Sequence, residues 1–261
     1  MHHEFWIVNA FNQVFGSAVA AALAPLGYHL DPAHAVPDYL VMCLIVFLVL
    51  SVLSIAVSST FSVENPGKFQ IVLEDIVGFL VGLLTEYMGP KGARYLPLVG
   101  TIGLFIFAAN QIGKVPGLMS PTANINVTAG CAITVWVFYH LMGVWEQGPI
   151  KYVLHFMFMP GAPWWTCVFI FPIEIISHAS RVLSLSLRLY GNIFGEEMVV
   201  VIIAGLVPWV APLPMMVLGL VTGTLQAFVF VMLTIIYLAA AVHTDHDHEE
   251  HNHEAEAHAS A

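Results

Sequence analysis

The sequence predicts an all-α integral membrane protein: about five membrane-embedded helices plus one surface amphipathic helix, the last two helices long, strongly tilted and antiparallel. Three observations lead there. Of 261 residues, 59% are hydrophobic and only 9% charged, whereas charged residues make up about 25% of an ordinary soluble domain. Several apolar runs reach the roughly 20 residues a helix needs to cross a hydrocarbon core. In the last two runs the polar and small residues return every three or four positions, the period of one helix face.

Residues 1–38 read as an amphipathic segment outside the membrane. Phe5 to Leu26 is moderately apolar and helical, and the polar YHLDPAHAVPDY follows it. Met1 to Asn12 carries Glu4 and no Lys or Arg ahead of its apolar residues, unlike a signal peptide. The first membrane helix is therefore expected to serve as its own insertion signal. Residues 39–60 contain no charge and form that helix. In residues 66–89, Lys68, Glu74, Asp75 and Glu86 interrupt the apolar residues, so this helix is expected to lie along the membrane surface.

Residues 95–112 form a second span, with Asn110 and Gln111 near its far end, and 114–124 are a loop bearing Pro and Gly. Residues 126–144 form a third span. Asn126-Val127-Thr128 fits the glycosylation sequon but opens a membrane helix, which argues against modification. Lys68, Lys91 and Arg94 lie between the first and second spans and Lys151 follows the third, whereas the loop between the second and third holds Lys114 alone. The positive-inside rule places the Lys68–Arg94 and Lys151 connections in the cytoplasm and the amino terminus outside.

After the Gly161-Ala162-Pro163 break, residues 164–207 form a run that as one helix would measure roughly 66 Å, twice a perpendicular crossing. It must tilt or break; Pro172 offers a kink, and Gly191 and Gly195 offer thin spots for close packing. Residues 215–242 can return antiparallel, carrying a seam of Gly219, Thr222, Gly223, Gln226, Thr234 and Tyr237 with Phe230 in the gap.

Residues 243–261 hold six histidines, six acids and no base, and are expected to be disordered and cytoplasmic. This tail carries most of the net charge of -10; the body has eleven acids against seven bases. His246, His248, His251 and His253 are weak candidates for a zinc, nickel or copper ion, set against a solvated tail with no ligand. No cofactor is expected. A basic nucleic-acid surface is absent, and Cys43, Cys131 and Cys167 lie singly in apolar surroundings, without disulfide or metal spacing.

The costliest residues fall in EIISHASRVLSLSLRLYGNIFGEE, Glu174 to Glu197, centred on Arg188. On a helix, Glu174, Ser177, Arg181, Ser184, Gly191, Asn192 and Gly195 lie within roughly 60° of Arg188, while Glu197 points the opposite way and Glu196 sits between. An arginine in the bilayer core is a functional hypothesis by default. Its nearest carboxylate on the helix, Glu196, is about 12 Å along the axis and off the face. Its natural partner is a carboxylate from another chain or from a passing substrate, which Arg188 can hold or release without itself carrying a proton. Glu174, His178, Glu196 and Glu197 are titratable and together outline an aqueous proton path, although Glu174 and Arg181 also read as helix-end charges reaching the interface. Gln226 can hydrogen-bond across to the Arg188 helix and position it.

SLRLYGN, Ser186 to Asn192, with Glu197 and then TLQAFVFVMLTIIYL, Thr224 to Leu238, resembles subunit a of the bacterial F-type ATP synthase. PTANINVT, Pro121 to Thr128, resembles a matching segment ahead of an earlier membrane helix, and the likeness covers roughly Tyr39 to Val242. The resemblance implies a non-catalytic stator subunit in the bacterial inner membrane that faces a rotating c-ring, contacts peripheral-stalk b-type subunits and lipid, and forms two offset proton half-channels. Arg188 would take the place of the family's essential arginine. Asn192, Glu197 and Gln226 match positions tied to the proton path or to support of that arginine, and Glu174 and Ser184 match positions linked to access. Two departures stand out: Glu196 replaces a residue that is commonly small, and Gly219 stands where some relatives place a titratable group, so Glu196 is a candidate to supply what Gly219 lacks.

A self-contained secondary transporter with Arg188 binding a substrate carboxylate is the alternative. Such folds usually carry internal repeats, and there is no second copy of the Arg-Asn segment. A metal transporter would want ligands within the spans, where His140, His155 and His178 have no paired spacing.

Overall fold

The computed structural model describes the chain except residues 1–5, 24, 26–30, 32–34, 60, 63–65, 116–117, 150–151, 153–166, 207–211 and 243–261. The histidine-rich tail, with His246, His248, His251 and His253, therefore lies outside the described residues, as does the Gly161–Pro163 break. Among the described residues the regular elements are helical and no strand occurs. They are α1 (Trp6–Leu23), α2 (Asp38–Ser58), α3 (Lys68–Met88), α4 (Leu96–Ile112), α5 (Ile125–Gln147), α6 (Cys167–Leu206) and α7 (Pro212–Val242). Short 3-10 turns precede α4 at Gly92–Tyr95 and α5 at Pro121–Ala123.

Five segments are long and apolar enough to cross a membrane: Asp38–Ser58, Gly92–Ile112, Ile125–Glu146, Phe171–Leu206 and Pro212–Val242. The protein is an all-α membrane protein. Large apolar side chains such as Val52, Ile55, Ile176, Val201 and Val217 are exposed, as lipid-facing residues must be. Hydroxyls in these helices turn back on their own backbone: Ser51 donates to the Phe47 carbonyl at 2.8 Å, Thr134 to Gly130 at 2.8 Å and Thr234 to Phe230 at 2.8 Å. Hydrocarbon offers no other partner, so each donor is satisfied locally.

The chain divides into two compact units. One comprises Met1–Gly67, Gly103–Thr128 and Arg188–Phe228; the other comprises Lys68–Ile102, Ala129–Leu187 and Val229–Ala261.

In the first unit, α1 packs on the start of α2. Val8, Val41 and Met42 are buried together, with Phe11, Val36, Ile45 and Leu118 against them. Asn12 is buried and bonds Val36 twice, accepting its N–H at 3.1 Å and donating to its carbonyl at 3.2 Å. Pro37, extended at the N-cap, then launches α2, and Asp38 in the first turn faces the positive end of the helix dipole. The Arg188–Leu206 stretch of α6 and the Pro212–Phe228 stretch of α7 run antiparallel. Asn192 meets Gln226 and Glu196 meets Gly219, so position rises on one helix as it falls on the other.

In the second unit, α3 ends at Gly89, which adopts the left-handed φ of 69° that favours glycine after a helix. The 3-10 turn then folds back so closely that a Cβ at Gly92 would collide with the Leu84 carbonyl. Gly143 on α5 similarly leaves room for the Tyr152 ring. Here α6 meets α7 where the Arg181 guanidinium lies over the Tyr237 ring at 5.3 Å.

Of the two alternatives for the long run, a whole helix or a broken one, the described residues show the whole helix: α6 is continuous for 40 residues with Pro172 inside it. Pro172 is the sixth residue of the helix, where it removes one hydrogen bond without ending the helix. One expectation changes. Gly191 and Gly195 are not thin spots for packing within this chain, because a Cβ at either would have no atom within 4 Å.

Because the obstacle at position 92 is backbone, it cannot move aside. Gly92→Ala is expected to cost about 1–3 kcal/mol, visible as a lower midpoint in denaturant unfolding of the detergent-solubilised protein, with no comparable loss for Gly100→Ala, where a Cβ has open space.

Candidate functional site

The first unit gathers most of the singled-out residues. Along α6, Leu189 and Ile193 are buried. Arg188, Gly191 and Asn192 are exposed. Among the described residues no carboxylate or other group pairs with Arg188. Asn192, one turn further on, donates through Nδ2 to the Gln226 Oε1 at 2.6 Å. Gln226 itself is buried on α7, and its Nε2 has no hydrogen-bond partner among the described residues. The α7 seam proves to be largely interior: Gly219, Gly223, Gln226, Phe230 and Thr234 are buried, whereas Thr222 is exposed.

Glu197 faces inward and is held by the connection between α4 and α5. Its Oε1 accepts the Ser120 N–H at 3.2 Å. Ser120 Oγ donates to the Ala109 carbonyl at 2.8 Å and lies 2.7 Å from the Thr122 hydroxyl. Thr122 donates to Asn110 Oδ1 at 2.7 Å, and Asn110 Nδ2 donates to the Gly223 carbonyl at 3.0 Å. Gln111 Nε2 reaches the Leu220 carbonyl at 3.1 Å and Thr224 Oγ1 at 2.9 Å. A polar chain thus runs from the acid through the Pro121–Ala123 turn to the backbone of α7. Beside it, Glu196 is ion-paired with Lys114.

The second unit holds a different cluster. His178 is buried and bonds through both ring nitrogens, Nδ1 to the Tyr139 hydroxyl at 2.6 Å and Nε2 to Glu174 Oε1 at 3.1 Å. A neutral imidazole has one N–H and one lone pair. It can therefore accept from the tyrosine while donating to the carboxylate, and a proton delivered to one end can leave from the other. His140 packs against this pair, its ring edge-on to His178 at 5.0 Å between centroids and tilted to Tyr139 at 4.3 Å. Its Nδ1 donates to the Trp136 carbonyl at 2.9 Å. Burial pushes the Tyr152 hydroxyl, beyond the end of this span, up to about 12, so it stays protonated at physiological pH. Ser184 is exposed. No group of three or more His, Cys, Asp or Glu among the described residues could hold a metal ion.

The structure therefore brings Asn192 to Gln226 and Glu174 to His178, and separates Glu196 from Glu197 by giving each its own partner. Sequence reasoning passed over Lys114, Ser120, Thr122, Tyr139 and Tyr152. Lys114 carried a signal, as the only base in the 113–124 connection; the hydroxyls carried none, because Ser and Thr in a turn are ordinary.

Thr122→Val keeps shape but leaves Asn110 Oδ1 buried without its donor. It is expected to cost about 1–3 kcal/mol in denaturant unfolding, while Thr101→Val, an exposed hydroxyl bonded only to its own helix at Pro97, should change little.

Comparison with known proteins gives a consistent answer. The family described as ATP synthase A chain matches residues 39–239. Among relatives, the chain is 42% identical over 242 residues to ATP synthase subunit a of Geotalea daltonii, covering 93% of this chain and 98% of that one. It is 43% identical over 221 residues to ATP synthase subunit a 3 of Pelobacter propionicus, covering 84% and 92%. It is 47% identical over 175 residues to ATP synthase subunit a of Syntrophobacter fumaroxidans, covering 67% and 70%.

Proposed function

The chain belongs to the ATP synthase subunit a family, and from that premise we propose that it is the membrane stator subunit that forms two offset proton half-channels against a rotating c-ring. The observation that carries this reading is Arg188: an intramembrane guanidinium on an exposed face, beside two glycines with open space, and with no carboxylate of its own among the described residues. A buried or lipid-facing charge without a partner is too costly to be decoration. Ring carboxylates arriving one after another supply the partner.

In this mechanism a proton enters one half-channel and neutralises a ring carboxylate, which can then turn through lipid. After nearly a full turn the carboxyl reaches the other half-channel, loses its proton and pairs with Arg188. The arginine stays charged at any physiological pH, so it prevents protons passing directly between the half-channels. Each charge crossing releases about 2.3 kcal/mol per 100 mV, and that energy is harvested only while the two routes stay separate.

The two clusters divide along the same line. Glu197 is tied to the 113–124 connection, which the distribution of Lys and Arg puts outside, so the Glu197 cluster serves the outer half-channel. His178, Glu174 and Tyr139 gather at the later part of α5, whose end the same rule puts in the cytoplasm, so they serve the inner one. Asn192 and Gln226 support the Arg188 face. The subunit does no bond-making chemistry itself. It sits in the bacterial inner membrane with its amino terminus outside and its carboxyl terminus in the cytoplasm, against the c-ring, the b-type subunits of the peripheral stalk and lipid.

Replacing Arg188 by Ala, and separately by Lys, in membranes containing the whole complex is expected to reduce ATP-driven proton pumping to the level of uncoupled vesicles. Lys fails because a compact ammonium lacks the planar fork of the guanidinium. Pumping that survives Arg188→Ala ends the proposal, and proton flux through the isolated chain would favour a self-contained transporter.

A further inference from the structure

Glu196 and Glu197 are adjacent in sequence, yet their side chains diverge by about 100° around α6 and meet different surroundings. Glu197 accepts a backbone N–H from Ser120 at 3.2 Å, whereas Glu196 accepts from the Lys114 ammonium. Two glycines make this possible. A Cβ at Gly219 would collide with the Glu196 carboxylate, so the acid occupies the volume a side chain on α7 would need. A Cβ at Gly113 would lie 2.8 Å from Ser120 Cβ and 3.1 Å from Glu197 Oε1, so the connection closes tightly over the second acid. Since Lys114 follows Gly113, the close approach that presents the Ser120 N–H to Glu197 also carries the ammonium to Glu196.

The Lys114 and Glu196 side chains are each only 14% exposed, so water does little of the work of neutralising them. Burial draws the Lys114 ammonium below the ordinary lysine range, and the Glu197 carboxylate pushes it back up. Among the described residues the charged groups at this spot are Lys114 from the connection and Glu196 and Glu197 from α6. The α4 end adds the amide of Gln111, the turn adds the hydroxyls of Ser120 and Thr122, and α7 adds Gly219 and Thr222; none of these titrates in the physiological range.

We propose that Lys114 is a positioning residue of the proton path: it pins Glu196 as a charged partner in the space left by Gly219, so the pair adds no net charge and Glu197 alone exchanges protons with water. This rests on the reading of the chain as the proton-conducting subunit. Glu196 is then a counter-ion and not a relay, and Gly219 is the vacancy that houses it.

The sign of each substitution follows. Lys114→Gln removes a cation and leaves a second carboxylate beside Glu197, both of which make Glu197 hold its proton more tightly. The acidic-limb midpoint of passive proton conduction through the whole complex, measured in vesicles stripped of the catalytic head, is expected to rise by about one pH unit. Glu196→Gln leaves the ammonium facing Glu197 alone, and the midpoint is expected to fall by a similar amount. The double variant Lys114→Gln/Glu196→Gln restores neutrality and is expected to return the midpoint toward wild type, as is Lys114→Arg, which keeps the charge.

A purely structural ion pair would lower the amount of assembled complex in both single variants without moving their midpoints in opposite directions. Single variants that shift the same way, or not at all, overturn the proposal. If Lys114→Gln does not assemble, Glu196→Gln and the double variant make the same opposed demand, and an unshifted midpoint in Glu196→Gln is again fatal. Arg188→Ala in vesicles that retain the catalytic head separates the two readings. ATP-driven pumping that persists without Arg188 overturns the function on which the proposal stands, while lost pumping together with unmoved midpoints overturns the role of Lys114 alone.

Discussion

A charge placed in hydrocarbon must be paired, led to water or put to use. That constraint organises this chain more than any packing preference does. Driving helices together by apolar burial is weak where lipid tails are as apolar as leucine, and the many exposed apolar side chains on α2 and α6 reflect this. What distinguishes one helix face from another is where the polar groups go. On α6 the inward side takes Leu185, Leu189 and Ile193 together with the two acids, Arg188 is exposed, and Asn192 stands between, itself exposed but bonded to buried Gln226.

The two faces answer the constraint differently. Inward, the acids and Asn110 each have a partner: Glu196 has Lys114, Glu197 a backbone N–H, and Asn110 both Thr122 and the Gly223 carbonyl. Truncating one member of such a chain leaves the next one unpaired, and in a low-dielectric setting that penalty exceeds the value of the bond itself. Outward, Arg188 is left open. An uncompensated cation next to compensated acids is what a site needs if a carboxylate is to arrive, stay briefly and leave, since a resident partner would compete with it.

Much of this was legible in the sequence because membrane helices announce themselves through length and apolar content, and an arginine within one is conspicuous. The antiparallel return of α7 and the hydrogen bond that Gln226 accepts from the Arg188 helix follow from the three- and four-residue spacing of the seam. The sequence left open whether the long run stays whole or breaks near Pro172, because a proline near a helix start and one in its middle look alike until the start is known. Nor were the contacts of the 113–124 connection. Its serine and threonine side chains gain meaning only from long-range proximity, with 77 residues separating Ser120 from Glu197 and 82 separating Lys114 from Glu196, and no local period encodes that distance.

Glycine shows the same division of labour from the other side. At positions 113 and 219 the missing side chain is a volume filled by someone else's polar group, while at 191 and 195 it is a surface with nothing against it. Small residues on a membrane helix are often read as marks of close helix packing, but that rule does not say which partner does the packing. Interior glycines here admit a carboxylate and a turn of the same chain, so their replacement would act on the acids. Glycines beside Arg188 admit nothing from this chain, so a side chain there would act only on whatever approaches the arginine. A stretch that keeps small and polar residues around one arginine, from Arg188 to Gly195, is suited to a partner that must slide past it, since bulk would interlock with that partner.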